Sequence, residues 1–154
     1  MIATIIILGL LAPPIYSYAI EGKGWRGLVP LYSTRTDVER LLGPGTNECK
    51  CGYYLDDVNV FFQYSSSDCK AGGSGGWNIP PGTIILFTVI PKPNPLIADL
   101  DIDLSRFKKK ADGHIEGVVY YSNEEEGISL EVYEGRVQAY FYQPRAKDEQ
   151  KRCP

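Results

Sequence analysis

Residues 58–64 read Val-Asn-Val-Phe-Phe-Gln-Tyr, with Val58, Val60, Phe62 and Tyr64 alternating against Asn59 and Gln63. A period of two puts every second side chain on the same side of an extended backbone, so this run predicts a strand with one buried face. Strand-like runs also occur at 53–55, 83–90, 117–121, 128–133 and 136–143, and so many short runs demand a sheet. Residues 83–90 are apolar on both parities, which predicts a central strand. Glu134-Gly135, between the last two runs, is a two-residue hairpin signal. Twelve per cent aromatic residues, including eleven tyrosines, suit a pleated surface where flat rings pack well.

Two helices are expected beside these strands. Thr34 is a good N-cap with Asp37 three residues on, Val38, Leu41 and Leu42 form an apolar stripe, and Gly43-Pro44 stops the helix. In the second half, Leu104, Phe107 and Ala111 form a weaker stripe that predicts a helix over 103–110. The expected fold class is therefore α+β. It comprises two pseudo-repeats of a short helix followed by a three-stranded antiparallel meander, with the helices on one sheet face. The expected first half covers about 25–95, the second about 96–144, and a C-terminal tail 145–154, all in one domain over 20–154.

The N-terminal stretch has a different character. Residues 2–19 carry no charged side chain, Ile5 to Ala12 are mostly apolar, Pro13-Pro14 breaks the run, and Ser17-Tyr18-Ala19 puts small residues at −3 and −1. That pattern predicts a signal peptide over 1–19, cleaved after Ala19. The apolar run is shorter than the roughly 20 residues a bilayer span needs. Membrane contact is thus expected only through this segment before cleavage, with the mature chain periplasmic or extracellular.

The four cysteines follow the predicted cleavage point: Cys49, Cys51, Cys69 and Cys153. An even number in an exported chain predicts two disulfides. Cys69–Cys153 is favoured, because it would anchor a polar C-terminus and close a long loop worth roughly 4 kcal/mol or more in the chain-entropy model. Cys49 and Cys51 are then left for each other, in a small ring. Four thiolates on zinc are the competing arrangement, but this spacing matches no common zinc module.

A resemblance enters at Ser33-Thr34-Arg35-Thr36-Asp37-Val38-Glu39-Arg40-Leu41-Leu42-Gly43-Pro44. This segment resembles the helix signature of the BamE/SmpA outer-membrane assembly lipoproteins and the tandem repeats of the β-lactamase inhibitor protein. The resemblance implies a capped helix preceding an antiparallel sheet, duplicated as in the inhibitor, and a protein-binding role. The second-half segment lacks the Thr…Val…Leu-Gly pattern, and no lipobox cysteine follows the apolar run. The chain is also similar to uncharacterised secreted bacterial proteins that carry a Trp-Asn-(Ile/Val)-Pro segment like that at Trp77.

Charge and motifs narrow the function classes. A net charge of −3 argues against nucleic acid, whose binding needs a basic patch. His114 is the single histidine and lies in a polar turn, which leaves a surface residue as the plain reading. The glycine-rich run 72–76 lacks the Lys-Ser/Thr of a phosphate loop. Asp99, Asp101 and Asp103 lack the Gly and Glu of an EF-hand loop. No catalytic residue, metal or cofactor is predicted.

The expected function is a non-enzymatic module, monomeric, that binds an extracytoplasmic protein or peptide. If Val137, Ala139 and Phe141 point inward, then Tyr140 and Tyr142 point outward beside Glu131 and Tyr133, making a tyrosine-rich face of hot-spot character. Trp77, in the long 65–82 insertion, is either a second recognition residue or a lid folded onto the core. The alternatives are a secreted hydrolase or sugar-binding enzyme with its site under that loop, and a purely structural envelope protein.

Overall fold

A computed structural model describes residues 24–46, 49, 51–67, 69, 73 and 75–154. The predicted signal peptide lies outside the described residues. The six strand-like runs become strands and a seventh is added at 108–111: β1 (Gly52–Tyr54), β2 (Val58–Tyr64), β3 (Ile84–Pro91), β4 (Lys108–Ala111), β5 (Val118–Asn123), β6 (Ile128–Tyr133) and β7 (Arg136–Tyr142). They form one sheet in the order β1-β2-β3-β7-β6-β5-β4, and every pairing is antiparallel. The β6–β7 hairpin turns on Glu134 and Gly135, both at positive φ (49° and 75°), as a two-residue turn that follows the twist of its strands requires.

One face of this sheet carries the core. Val60, Phe62, Phe87, Val89, Tyr140, Tyr142, Ile128, Leu130, Val132 and Val137 are all buried there. Helix α1 (Arg35–Leu42) brings Val38 and Leu42 to this cluster, while Leu28 and Trp25 join from the preceding turn. Ile97, Leu100, Ile102 and Phe107, from the connection between β3 and β4, also pack on it. The helix starts where the sequence places its start. The Asp37 N–H donates to Thr34 Oγ1 at 3.3 Å, the Thr34 N–H donates to Asp37 Oδ2 at 2.8 Å, and Gly43 ends it at φ 82°.

The duplicated helix-plus-meander arrangement is not what forms. The described residues hold a single seven-stranded antiparallel sheet and only one short α-helix. The segment expected to be the second helix is a 3-10 turn at Leu104–Arg106 followed by strand β4. Pairing overrides the stripe. Lys108, Lys109 and Lys110 complete the hydrogen-bonding edge of β5 opposite Ser122, Tyr121 and Tyr120. Local helix preference is worth only tenths of a kcal/mol per residue, and a lysine-rich strand is well suited to an exposed sheet edge. Leu104 and Phe107 still turn partly inward, but Ala111 is exposed.

The tail that looks unanchored in the sequence is tied down. Ala146–Lys151 form a 3-10 turn whose Asp148 is fully buried, accepting from Tyr32 Oη at 2.7 Å and from Arg145 Nε at 3.1 Å. Beyond it, the Cys153 N–H donates to the Gly76 carbonyl at 2.9 Å, and the Asn78 N–H donates to the Lys151 carbonyl at 2.7 Å. Cys69 pairs with Cys153 and Cys49 with Cys51, at Cα separations of 5.6 and 5.2 Å. The two pairs are compatible with an extracellular location. Among the described residues, no helix is long and apolar enough to cross a membrane.

Candidate functional site on the open sheet face

The helix and the long connection both cover the core side of the sheet, and the other side is left largely open. Registers fix which residues share it. Phe61 lies opposite Thr88, Thr88 opposite Phe141, Phe141 opposite Ser129, Ser129 opposite Ser122, and Ser122 opposite Lys108. This row runs from β2 across to β4, with Phe61 and Phe141 two strand spacings apart, roughly 10 Å. A parallel row on the same face holds Tyr54, Asn59 and Ile90 toward the β1 edge, and Ala139, Glu131, Tyr120 and Lys110 toward the β4 edge. Tyr54 is 62% exposed, Tyr133 41% and Leu86 37%, while Phe61, Ile90 and Phe141 are half-buried among their neighbours.

Two zones result. Over β1, β2, β3 and β7, the face presents Tyr54, Phe61, Leu86, Thr88, Ile90 and Phe141 without a formal charge. Tyr54 and Phe61 meet edge to face, their ring centroids 5.8 Å apart. Over β6, β5 and β4 it becomes polar. Ser129 Oγ donates to Ser122 Oγ at 2.9 Å, and Tyr120 Oη donates to Glu131 Oε2 at 3.2 Å. Burial, and then the Glu131 carboxylate beside it, raise the Tyr120 phenol above its ordinary pKa. Lys108 and Lys110 line the outer edge and are exposed.

Of the residues expected to bind, Glu131 and Tyr133 are on this face. Tyr140 and Tyr142 are not: they are 4% and 3% exposed, inside the core. The cause is one extra residue. Glu131 pairs with Ala139 but Val132 pairs with Val137, so Gln138 is left over as a bulge in β7. A strand has a period of two, so one inserted residue moves every later side chain to the opposite side. Val137 faces the core as expected; after the bulge, Tyr140 and Tyr142 face it too, and Phe141 takes the outer position. The bulge is braced from outside, where Asn94 Nδ2 donates to Gln138 Oε1 at 2.7 Å.

Trp77 is not an exposed recognition residue either. It is 5% exposed, packed in a second small cluster with Leu31, Ile79 and Ile85, and the Arg152 guanidinium lies 3.8 Å above its ring. A second bulge makes room for this cluster. Tyr64 pairs with Ile84 and Gln63 with Leu86, which leaves Ile85 unpaired to join it while Ile84 stays in the main core.

Sequence reasoning missed Tyr54, Phe61, Leu86, Ile90 and Phe141. A signal for Phe61 was present: it shares parity with Asn59 and Gln63, so an aromatic ring stands where a polar residue belongs. The doubly apolar 83–90 run carried the same message for Leu86 and Ile90.

Other chemistry finds less support in the geometry. Among the described residues, one shallow hollow of about 310 Å³ lies beside Arg26, Asp37 and Arg40, and another of about 430 Å³ beside Arg106, Glu124 and Glu125. In the first, both arginines are already paired, Arg26 with Asp57 at 2.9 Å and Arg40 with Asp37 at 2.6 Å. His114 lies in the exposed turn between β4 and β5, where its backbone N–H donates to Asp112 at 2.7 Å. Asp103 accepts from the Ser105 N–H and hydroxyl as a turn cap. Among the described residues, no three His, Cys, Asp or Glu side chains gather where they could hold a metal. No family model, curated protein or solved structure matches the chain.

Proposed function

We propose that this protein is an exported, non-enzymatic binding module that holds another protein or a peptide against its open sheet face. The observation that carries the reading is the uncharged zone of Tyr54, Phe61, Leu86, Thr88, Ile90 and Phe141, bordered by Glu131, Lys108 and Lys110. Interfaces have this anatomy, with aromatic and aliphatic contact at the centre and charge kept to the border. The helix motif at 33–44, with its likeness to inhibitor and assembly modules, supports the same class. Export is supported by the uncharged N-terminal run and the paired cysteines.

A second copy of the chain is a poor occupant. A two-fold running across the strands, which keeps the whole length of both faces in contact, would set Lys108 and Lys110 against the same lysines of the other copy. A different partner, with carboxylates opposite that edge, fits better. The test is affinity capture from periplasmic or culture extract with wild-type bait, followed by direct titration of the partner. Tyr54→Ala with Phe141→Ala should weaken binding at least about tenfold, each ring contributing about 1 kcal/mol or more. Ile115→Ala, at an exposed site in the β4–β5 turn, should leave it unchanged. Equal affinity for all three baits sinks the assignment of this face.

A further inference from the structure

The two disulfides differ in what they do for the fold. Cys69–Cys153 spans 84 residues and fastens the tail to the 65–82 loop, where the Gly76 carbonyl and the Trp77–Arg152 bridge also hold it. Cys49–Cys51 has a sequence separation of 2, so it restrains almost nothing in the unfolded chain. Its surroundings are secured by other means. The Phe62 N–H donates to the Cys51 carbonyl at 2.8 Å, Thr46 Oγ1 donates to the Gly52 carbonyl at 3.1 Å, and Tyr53 is anchored in the core.

Cys49 is exposed, and a fixed cation stands beside it: Arg35 donates to its carbonyl oxygen at 2.8 Å. That arginine is itself positioned, being the first residue of α1 and lying 4.5 Å above the Tyr64 ring. A nearby positive charge stabilises a thiolate and so favours the opened form of a disulfide. An accessible disulfide with a stabilised leaving thiolate, on a scaffold that does not need it, is the kind that exchanges.

We infer that Cys49–Cys51 is a site of thiol–disulfide exchange, whose ligand is a thiolate of another molecule, and that Cys69–Cys153 is structural. The incoming thiolate attacks the half-buried Cys51 Sγ. The S–S bond breaks, and Cys49 leaves with the electron pair as a thiolate beside Arg35. If the incoming molecule is a dithiol, its second thiolate attacks its own sulfur in the mixed disulfide and expels Cys51. The dithiol is then oxidised by two electrons to a disulfide, and Cys49 and Cys51 are reduced and take up the two protons it released.

The probe is dithiothreitol, titrated against the folded full chain, with alkylation of free thiols and peptide mass spectrometry at each step. Cys49 and Cys51 should be labelled at a reductant level about tenfold below that needed for Cys69 and Cys153, a difference of about 30 mV. The melting transition should be unchanged at that point, and in the Cys49→Ser, Cys51→Ser variant. Arg35→Gln should slow opening by reduced glutathione about threefold. Simultaneous labelling of all four cysteines overturns the inference, as does loss of the melting transition when only Cys49 and Cys51 have reacted.

Discussion

Replacing Tyr142 with alanine tests the feature on which the candidate site turns. The ring is 3% exposed and stacks on Phe87, with centroids 4.7 Å apart and planes 11° from parallel. An aromatic side chain buries about 150–250 Å², which at about 25 cal/mol per Å² gives roughly 4–6 kcal/mol as an upper bound. Measured truncations of buried aromatics cost about 3–5 kcal/mol, so about 4 kcal/mol is expected here. At about 3–5 °C per kcal/mol for a domain of this size, Tm should fall by roughly 12–20 °C. Phe141, half-buried on the open face, should cost about 1 kcal/mol when cut to alanine. Urea denaturation followed by circular dichroism measures both, the midpoint shifting at constant slope. An unbroken alternation along β7 demands the reverse order. If Phe141→Ala proves the costly change and Tyr142→Ala is nearly silent, the Gln138 bulge and the face built on it are wrong.

The other expectations concern pH and backbone conformation. Burial alone would raise the Asp148 carboxyl, but hydrogen bonds from Tyr32 and Arg145, together with the Arg145 charge, outweigh it and hold the carboxyl below its usual range. A depressed folded-state pKa adds stability above the unfolded value, and that stability is lost as pH falls through the folded one. Asp148→Asn should therefore cost about 2 kcal/mol at neutral pH, with the gap to wild type closing below about pH 4 in thermal melts. Gly127 sits at φ +68°, and a Cβ there would lie 2.3 Å from the Gln143 carbonyl oxygen, so Gly127→Ala should cost about 3 kcal/mol. Gly135, at φ +75°, has nothing within 4 Å of an added Cβ, and Gly135→Ala should cost only about 1 kcal/mol. Equal losses in chemical denaturation would refute the contact argument at Gly127.

How much of this could be read from the chain depends on the range of the interaction concerned. Local chemistry was legible. The Thr34–Asp37 capping box, the Gly43 stop and the Glu134-Gly135 hairpin depend on neighbours a few residues apart, and the alternating runs at 58–64 and 128–133 coincide with β2 and β6. The cysteine pairing followed from loop length and the need to hold the tail. Three features were decided elsewhere. Lys108–Ala111 became a strand because β5 offered an edge, and strand pairing outweighs a weak helical stripe. Trp77 went inward because Leu31, Ile79 and Ile85, scattered along the chain, converge beneath Arg152.

The open face turned on a single residue. A bulge leaves almost no mark in a sequence: Gln138 reads as an ordinary polar position, and alternation carried through it sends Tyr140 and Tyr142 to the wrong side. The amino-acid sequence determined which segments are extended and where helix and hairpin begin and end, because those choices are made by backbone sterics and short-range hydrogen bonds. Which side of the sheet each residue occupies was settled only by the tertiary structure, since register is a property of two strands together.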